Sequence, residues 1–189
     1  FLLRVSRRER RAVAQAITLI ESSNQDHQKN AALMQNKILQ DPSSKVNQSI
    51  RIGVSGVPGV GKSSFIEGFT NFVLDNKAVK SVAVLSIDPS SPITGGSILG
   101  DKTRMQTLST RDDVFIRPSP SGRLSGNLNP CSYETAVFLQ SIGFEAIIIE
   151  TVGAGQNEMQ IAKLSDLFLL LAMPATGDEL QGIKRGAIE

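Results

Sequence analysis

A glycine-rich stretch, GVPGVGKSS from Gly56 to Ser64, lies between the apolar run IRIGVS and the helical pattern FIEGFTNFVL. It fits G-x-x-x-x-G-K-[ST], in which the small residues allow backbone amides to surround an anion at the start of a helix. In this pattern Lys62 reaches the β- and γ-phosphates of a nucleotide, and the Ser63 hydroxyl ligates Mg²⁺. The alternative is a glycine-rich corner that only permits a tight turn. We predict a strand, a phosphate-binding loop and a helix, with these residues at the phosphates: Gly56, Val57, Pro58, Gly59, Val60, Gly61, Lys62, Ser63 and Ser64.

Strand and helix patterns alternate from Ile50 onward. The predicted strands are IRIGVS, SVAVLSID, DVFIRPS, EAIIIE and LFLLLAMPA, with helical or loop segments between them. Such alternation is typical of a mostly parallel sheet with helices on both faces and ligands at the carboxyl ends of the strands. The predicted fold class is therefore α/β, of the P-loop NTPase type.

Residues 1–48 are predicted to be a helical extension that precedes a nucleotide-binding domain over residues 49–189. Ser6 and Glu9 have the spacing of a capping box, and an amphipathic pattern follows them. A second helix is predicted from Asp26 to Leu39. The arginine-rich run RVSRRERR is interpreted either as a solvated helix face or as the end of an organelle transit peptide. Because the chain begins without Met, we also expect it to be part of a longer protein.

Composition excludes several classes of function. The chain has 189 residues and a net charge of +2, so no overall basic field indicates nucleic acid as a partner. No apolar run approaches the length of a membrane span. The single Cys131 excludes an internal disulfide and a multi-cysteine metal cluster, and the single His27 excludes a catalytic pair of histidines.

Three carboxylates follow predicted strands and are candidate metal ligands. Asp88 ends VLSID, Asp101 lies in GGSILGDKTR, and Glu150 ends AIIIE. Since the ends of parallel strands meet at one edge of a sheet, we expect them near Ser63, where oxygen ligands suit Mg²⁺. Each acid taken singly could instead be a helix cap or a surface residue.

Glu150 also begins ETVGAGQ, which has the form of a nucleotide-sensing loop. The amide of Gly153 is predicted to contact the γ-phosphate, and Gly153 and Gly155 allow the loop to change when that phosphate leaves. Gln156 either orients the attacking water or faces solvent. An ordinary glycine loop is the alternative.

At this level of detail the chain resembles the methylmalonyl-CoA mutase-associated GTPases over nearly its whole length. The resemblance is carried by GVSGVPGVGKSSF, LSIDPSSPITGGSILGDKTRM, FIRPSP, IIIETVGAGQNE and GDELQGIKRGAIE. It implies GTP and GDP as ligands with Mg²⁺, P-loop roles for Lys62 and Ser63, and a partner-responsive segment containing Lys184. It also implies metal-centred roles for Asp88, Asp101 and Glu150. The candidate catalytic residues are then Lys62, Glu150, Gln156 and Lys184. The resemblance further implies a chaperone that gates loading of adenosylcobalamin into methylmalonyl-CoA mutase and protects that enzyme.

The resemblance also implies features outside this sequence. Family members carry a guanine-specific N-K-x-D segment and a C-terminal dimerisation arm, which we expect beyond Glu189, together with a homodimer. The location would be cytoplasmic in a bacterium and the mitochondrial matrix in a eukaryote. Ser125 stands where glycine is expected in RPSPSGRLSGN, and MPATGDE replaces PGAGDE.

Three other functions remain open at this point. One is a small-molecule P-loop kinase or ATPase, against which the switch-like ETVGAGQ argues. Another is a nucleotide-dependent binding module with negligible hydrolysis. A third is a nickel-delivery GTPase, although one His and one Cys do not suit metal delivery.

Overall fold

A computed structural model of the chain describes residues 1–41, 49–88, 105–120, 130–151 and 158–173. Five strands form its sheet: β1 Ile50–Gly56, β2 Val82–Asp88, β3 Val114–Pro120, β4 Ala146–Thr151 and β5 Leu167–Leu171. The helices in the described ranges are α1 Leu2–Ser6, α2 Arg10–Glu21, α3 Gln25–Leu39, α4 Lys62–Asp75, α5 Gln106–Ser109, α6 Pro130–Ser141 and α7 Glu158–Leu164.

All neighbouring strands in the sheet are parallel, in the order β3-β2-β4-β1-β5. The chain therefore passes from β1 through α4 to β2 without pairing these two strands, and β4 lies between them in the sheet. The predicted α/β class with a parallel sheet is confirmed, and so are the positions of its strands.

Side chains pack on both faces of the sheet, which explains why its strands are mainly apolar. Alternate residues such as Val54, Val84 and Ile148 pack with Ile66 of α4 on one face. The residues between them pack on the other face with α2, α3, α6 and α7. The apolar side of the N-terminal helices, with Val13, Ala16, Ile17 and Ile20 buried as their spacing indicates, thus shares one core with the sheet.

The predicted capping box at Ser6 and Glu9 is wrong. Ser6 is the last residue of α1, and α2 begins only at Arg10, with Glu9 as an N-cap whose side chain makes no capping hydrogen bond. Between them Arg8 adopts a positive φ of 57°, which separates the two helices. The Glu9 carboxylate instead accepts a 2.6 Å hydrogen bond from Arg4 Nε, so a local ion pair replaces the expected cap.

The second predicted helix is confirmed as α3, which begins one residue earlier than expected. Asn24 caps it, because its Oδ1 accepts hydrogen bonds from the backbone amides of Asp26 and His27 at 2.8 and 3.3 Å. The ring Nδ1 of His27 lies 2.9 Å from Ser22 Oγ, so the single histidine belongs to this helix start.

Arginines of the N-terminal run contact the rest of the molecule. Arg8 lies over the ring of Phe144, 5.5 Å from its centroid. Arg10 donates hydrogen bonds to three main-chain carbonyl groups around the end of α5 and the start of β3. These two side chains therefore help to attach the helical extension to the sheet.

Among the described helices, none combines the length and the apolar character that crossing a membrane requires.

Candidate functional site

The glycine-rich loop joins the end of β1 to the start of α4, as the motif predicts. Gly59 and Gly61 have φ of 83° and 96°, in the left-handed region that favours glycine. Gly61 is the N-cap of α4, and the amide of Val60 donates to the carbonyl of Val57 within the turn. Pro58, Gly59 and Gly61 are exposed, so the loop opens to solvent at the N-terminus of a 14-residue helix, where an anion is favoured.

Gly56 is needed for a different reason, namely space. A Cβ on this residue would lie 2.4 Å from the carbonyl oxygen of Leu171 on β5, and its φ is 150°. The main chains of β1 and β5 therefore approach closely where the loop begins.

Lys62 lies inside the curve of the loop, with only 8% of its surface exposed. Its Nζ donates hydrogen bonds to the carbonyl oxygens of Gly56 at 2.6 Å and Val57 at 3.1 Å. A buried ammonium group requires such acceptors, because burial without them is costly. The positive charge is thereby placed beside the backbone that the motif assigns to the phosphates.

Glu150 and Ser63, two residues predicted to share a metal, lie together. Glu150 is near the end of β4 and is 3% exposed. The Ser63 hydroxyl, in the first turn of α4, donates to Glu150 Oε1 at 3.2 Å. The structure thus brings one hydroxyl and one carboxylate to the same point beside the loop.

Ser86 is a third member of this group that the sequence analysis missed. Its side chain on β2 is fully buried, and its hydroxyl donates to Glu150 Oε2 at 3.4 Å. The sequence signal was its place two residues before Asp88 on the predicted strand. That signal has meaning only when β2 and β4 are known to be neighbours.

The donor atoms present suit Mg²⁺ in type and number. Ser63 and Glu150 supply hard oxygens, and Mg²⁺ usually takes one or two protein carboxylates and keeps waters and substrate phosphates in its shell. Within the described ranges, no group of three or more His, Cys, Asp or Glu side chains could hold a metal ion, so an all-protein cage is not present there. Asp88 is the last residue of β2, at the same edge of the sheet.

Several predicted site residues lie outside the described residues. They are Asp101, Gly153, Gln156 and Lys184, and their roles remain predictions.

The lone cysteine is not a candidate nucleophile. Burial raises the pKa of the Cys131 thiol, and the nearby carboxylates of Glu134 and Glu21 raise it further. The neutral thiol is therefore favoured, whereas a reactive cysteine needs the thiolate.

Known proteins resemble this chain over most of its length. The family model described as methylmalonyl Co-A mutase-associated GTPase MeaB matches residues 13–189. A putative GTPase of Caulobacter vibrioides is 48% identical over 182 residues, covering 96% of this chain and 54% of that protein. The GTPase ArgK of Escherichia coli is 42% identical over 186 residues, covering 98% of this chain and 54% of that protein.

A mouse protein, the mitochondrial methylmalonic aciduria type A homolog, is 43% identical over 187 residues, covering 96% of this chain and 45% of its own length. Among solved structures, a LAO/AO transport system kinase superposes with a TM-score of 0.68 at 33% identity, over 90% of this chain and 48% of that one. The chain spans about half the length of the curated relatives it matches.

Proposed function

Because this chain belongs to the family of methylmalonyl-CoA mutase-associated GTPases, we propose that it binds GTP and GDP together with Mg²⁺ and hydrolyses GTP. The observation that carries the proposal is the convergence of three groups at one edge of the sheet. These are the exposed glycine loop, the buried Lys62 ammonium, and the Ser63–Glu150 pair.

In the proposed mechanism the chain acts mainly by positioning and by charge, as is usual in phosphoryl transfer. The loop amides and the N-terminus of α4 hold the phosphates, and Lys62 places positive charge beside the β- and γ-phosphates. Ser63 and Glu150, with Asp88 and Asp101, would hold Mg²⁺, which neutralises charge on the phosphate oxygens when bound. Gly153 contributes an amide to the γ-phosphate.

Water is the proposed acceptor, and Gln156 is proposed to orient it for attack on the γ-phosphorus. Attack breaks the bond to the bridging oxygen, and GDP and inorganic phosphate leave. Loss of the γ-phosphate then removes the contact with Gly153, which would allow the loop after β4 to change.

Replacement of Lys62 tests the catalytic part of the proposal. Lys62→Ala is expected to lower phosphate release at saturating GTP and Mg²⁺ by roughly 10²- to 10³-fold, because it removes a preorganised charge from the transition state. Lys80→Ala is the matched control, since Lys80 is exposed and lies at the opposite edge of the sheet, two residues before β2 begins. Equal rates for the Lys62 variant and the wild type, with both proteins folded, would remove Lys62 from catalysis.

We also propose the partner that the family description indicates, a methylmalonyl-CoA mutase. In this part of the proposal, nucleotide state gates adenosylcobalamin loading and protection of the mutase, and the segment around Lys184 responds to the partner. A homodimer is proposed as well. The mouse relative is named mitochondrial, which supports the mitochondrial matrix for a eukaryotic protein, with the cytoplasm proposed for a bacterial one.

A second candidate, phosphoryl transfer to a small molecule, is favoured by one observation. The protein whose crystal structure superposes on this chain is named a LAO/AO transport system kinase. Competition separates the two functions: displacement of bound fluorescent GDP by ADP as effectively as by GDP would favour the kinase or ATPase. Phosphate release without an added acceptor would favour the GTPase.

A further inference from the structure

Glu150 lies in a row of five side chains that crosses the sheet near its carboxyl edge. Strand register places Ser86 directly beside Glu150 on one side and Val54 directly beside it on the other. The row continues to Pro118 on β3 and Leu169 on β5. Ser86 is therefore the one member of this row, apart from Glu150 itself, that carries a polar side chain.

The surroundings make that hydroxyl important for the carboxylate. Glu150 is 3% exposed and Ser86 is fully buried, so little water reaches the side of Glu150 that faces β2. Ionised carboxylates in such places are stabilised by hydrogen bonds to the charged form. Ser63 donates to Oε1 from α4, and Ser86 donates to Oε2 from β2.

The two hydroxyls have different roles because they come from different elements. Ser63 lies in the first turn of the helix that follows the phosphate loop, and it is itself a proposed metal ligand. Ser86 lies on β2, in the interior of the sheet, and is not part of the phosphate loop. Ser86 donates to one oxygen of the carboxylate, while Ser63 donates to the other.

We propose that Ser86 is a positioning residue for Glu150 in the magnesium and nucleotide site, an inference that rests on the proposed function. Partners that orient metal-associated carboxylates commonly contribute 10- to 100-fold to metal affinity. The 3.4 Å separation is long for a hydroxyl–carboxylate hydrogen bond, so we expect the lower end of that range.

The test measures binding and not turnover. Fluorescent N-methylanthraniloyl-GDP is titrated into this chain at a series of Mg²⁺ concentrations. The Mg²⁺ concentration that produces half of the gain in nucleotide affinity is recorded. Ser86→Ala is expected to raise that concentration about tenfold. Nucleotide affinity without Mg²⁺ should stay within about twofold, since the phosphate loop is intact, whereas a merely disrupted fold would weaken binding in both conditions.

Two further variants separate positioning from general packing. Ser81→Ala removes another buried hydroxyl, which donates to the carbonyl of Gly143 at 3.3 Å just before the opposite end of β2, and it should leave the Mg²⁺ dependence unchanged. In a Glu150→Gln background, Ser86→Ala should have less than about a twofold further effect, because the carboxylate it positions is gone.

The outcomes distinguish this inference from the proposed function. A wild-type chain whose nucleotide binding ignores Mg²⁺ would overturn the proposed function and this inference with it. If nucleotide binding by the wild type depends on Mg²⁺ and Ser86→Ala has the same half-saturating Mg²⁺ concentration, only the role of Ser86 is overturned. A full tenfold shift in the Glu150→Gln background would also overturn it, since Ser86 would then act elsewhere.

Discussion

Gly53, three residues before the phosphate loop, provides a sharp test of the packing beneath the site. It lies within β1, between Ile149 of β4 and Phe168 of β5. A Cβ added there would lie 2.5 Å from Ser165 Oγ, 2.8 Å from Ile161 Cγ2 and 2.9 Å from Phe168 Cδ2. All three distances are shorter than real Cβ contacts, so Gly53→Ala requires α7 or β5 to move.

The expected cost follows from which atoms can yield. Ser165 Oγ donates a 2.7 Å hydrogen bond to the carbonyl oxygen of Ile161, so a shift of the hydroxyl sacrifices that bond, and Ile161 is fully buried. Overpacking of this kind costs about 1–3 kcal/mol. Alanine also restricts the unfolded chain more than glycine does, which stabilises the folded state by about 0.4–1 kcal/mol. Gly53→Ala should therefore lower the free energy of unfolding by roughly 1–2 kcal/mol, from the difference of these two effects.

Gly68 is the matched control, because the same substitution meets open space there. It lies within α4, and a Cβ built on it has no heavy atom of another element within 4 Å. Alanine is favoured over glycine inside a helix by about 0.8–1 kcal/mol, so Gly68→Ala should raise the free energy of unfolding. The same substitution is thus expected to change the free energy of unfolding in opposite directions at Gly53 and Gly68.

Urea unfolding followed by circular dichroism at 222 nm measures both changes. The midpoint should fall for Gly53→Ala and rise for Gly68→Ala, with an unchanged slope in each case. A Gly53→Ala protein as stable as the wild type would refute the close approach of α7 and β5 to β1.

Two other predictions concern acid stability and the partner. The hydrogen bond from Arg51 lowers the pKa of Asp166, so its contribution to stability is present above the unfolded-state pKa and is lost as pH falls through the lower folded value. The fall in urea midpoint between pH 7 and pH 3 should therefore be smaller in Asp166→Asn than in the wild type, and an equal fall would refute this linkage. Lys184→Ala should leave basal phosphate release unchanged and abolish its stimulation by the mutase; full stimulation with mutase binding intact would return Lys184 to a surface role.

The loop and the strands could be predicted because their signals are local. Left-handed backbone at Gly59 and Gly61 needs only the residues of the motif, and buried strands need only a short apolar run. Helix faces were predictable for the same reason, as the buried residues of α2 demonstrate. The start of α2 was not, since Ser6 and Glu9 match a capping box by spacing while Arg4 competes for the Glu9 carboxylate.

The arginine-rich run marks a second limit of sequence reasoning. Its charge was interpreted as solvated or as a targeting signal, but Arg10 donates to carbonyls about one hundred residues later in the chain. A guanidinium with five donors can serve main-chain acceptors as readily as carboxylates or water. Only the tertiary fold determines which of these is within reach.

Strand order explains why Ser86, the third member of the group around Glu150, escaped prediction. The chain inserts β4 between β1 and β2, which are consecutive in sequence. Glu150 is consequently flanked by the strand that leads into the phosphate loop and by the strand that ends at Asp88. No local pattern indicates that insertion, because residues 86 and 150 are separated in the chain by β3 and the segments on either side of it, and they meet only in the sheet. The same insertion accounts for the chemistry: a carboxylate on either edge strand would be more accessible to water. On β4 it is buried and accepts one hydrogen bond from Ser86 on β2 and one from Ser63 in the first turn of α4. Placement of β4 therefore positions Glu150 beside Ser63 and Ser86, as the carbonyl oxygens of Gly56 and Val57 position the Lys62 ammonium.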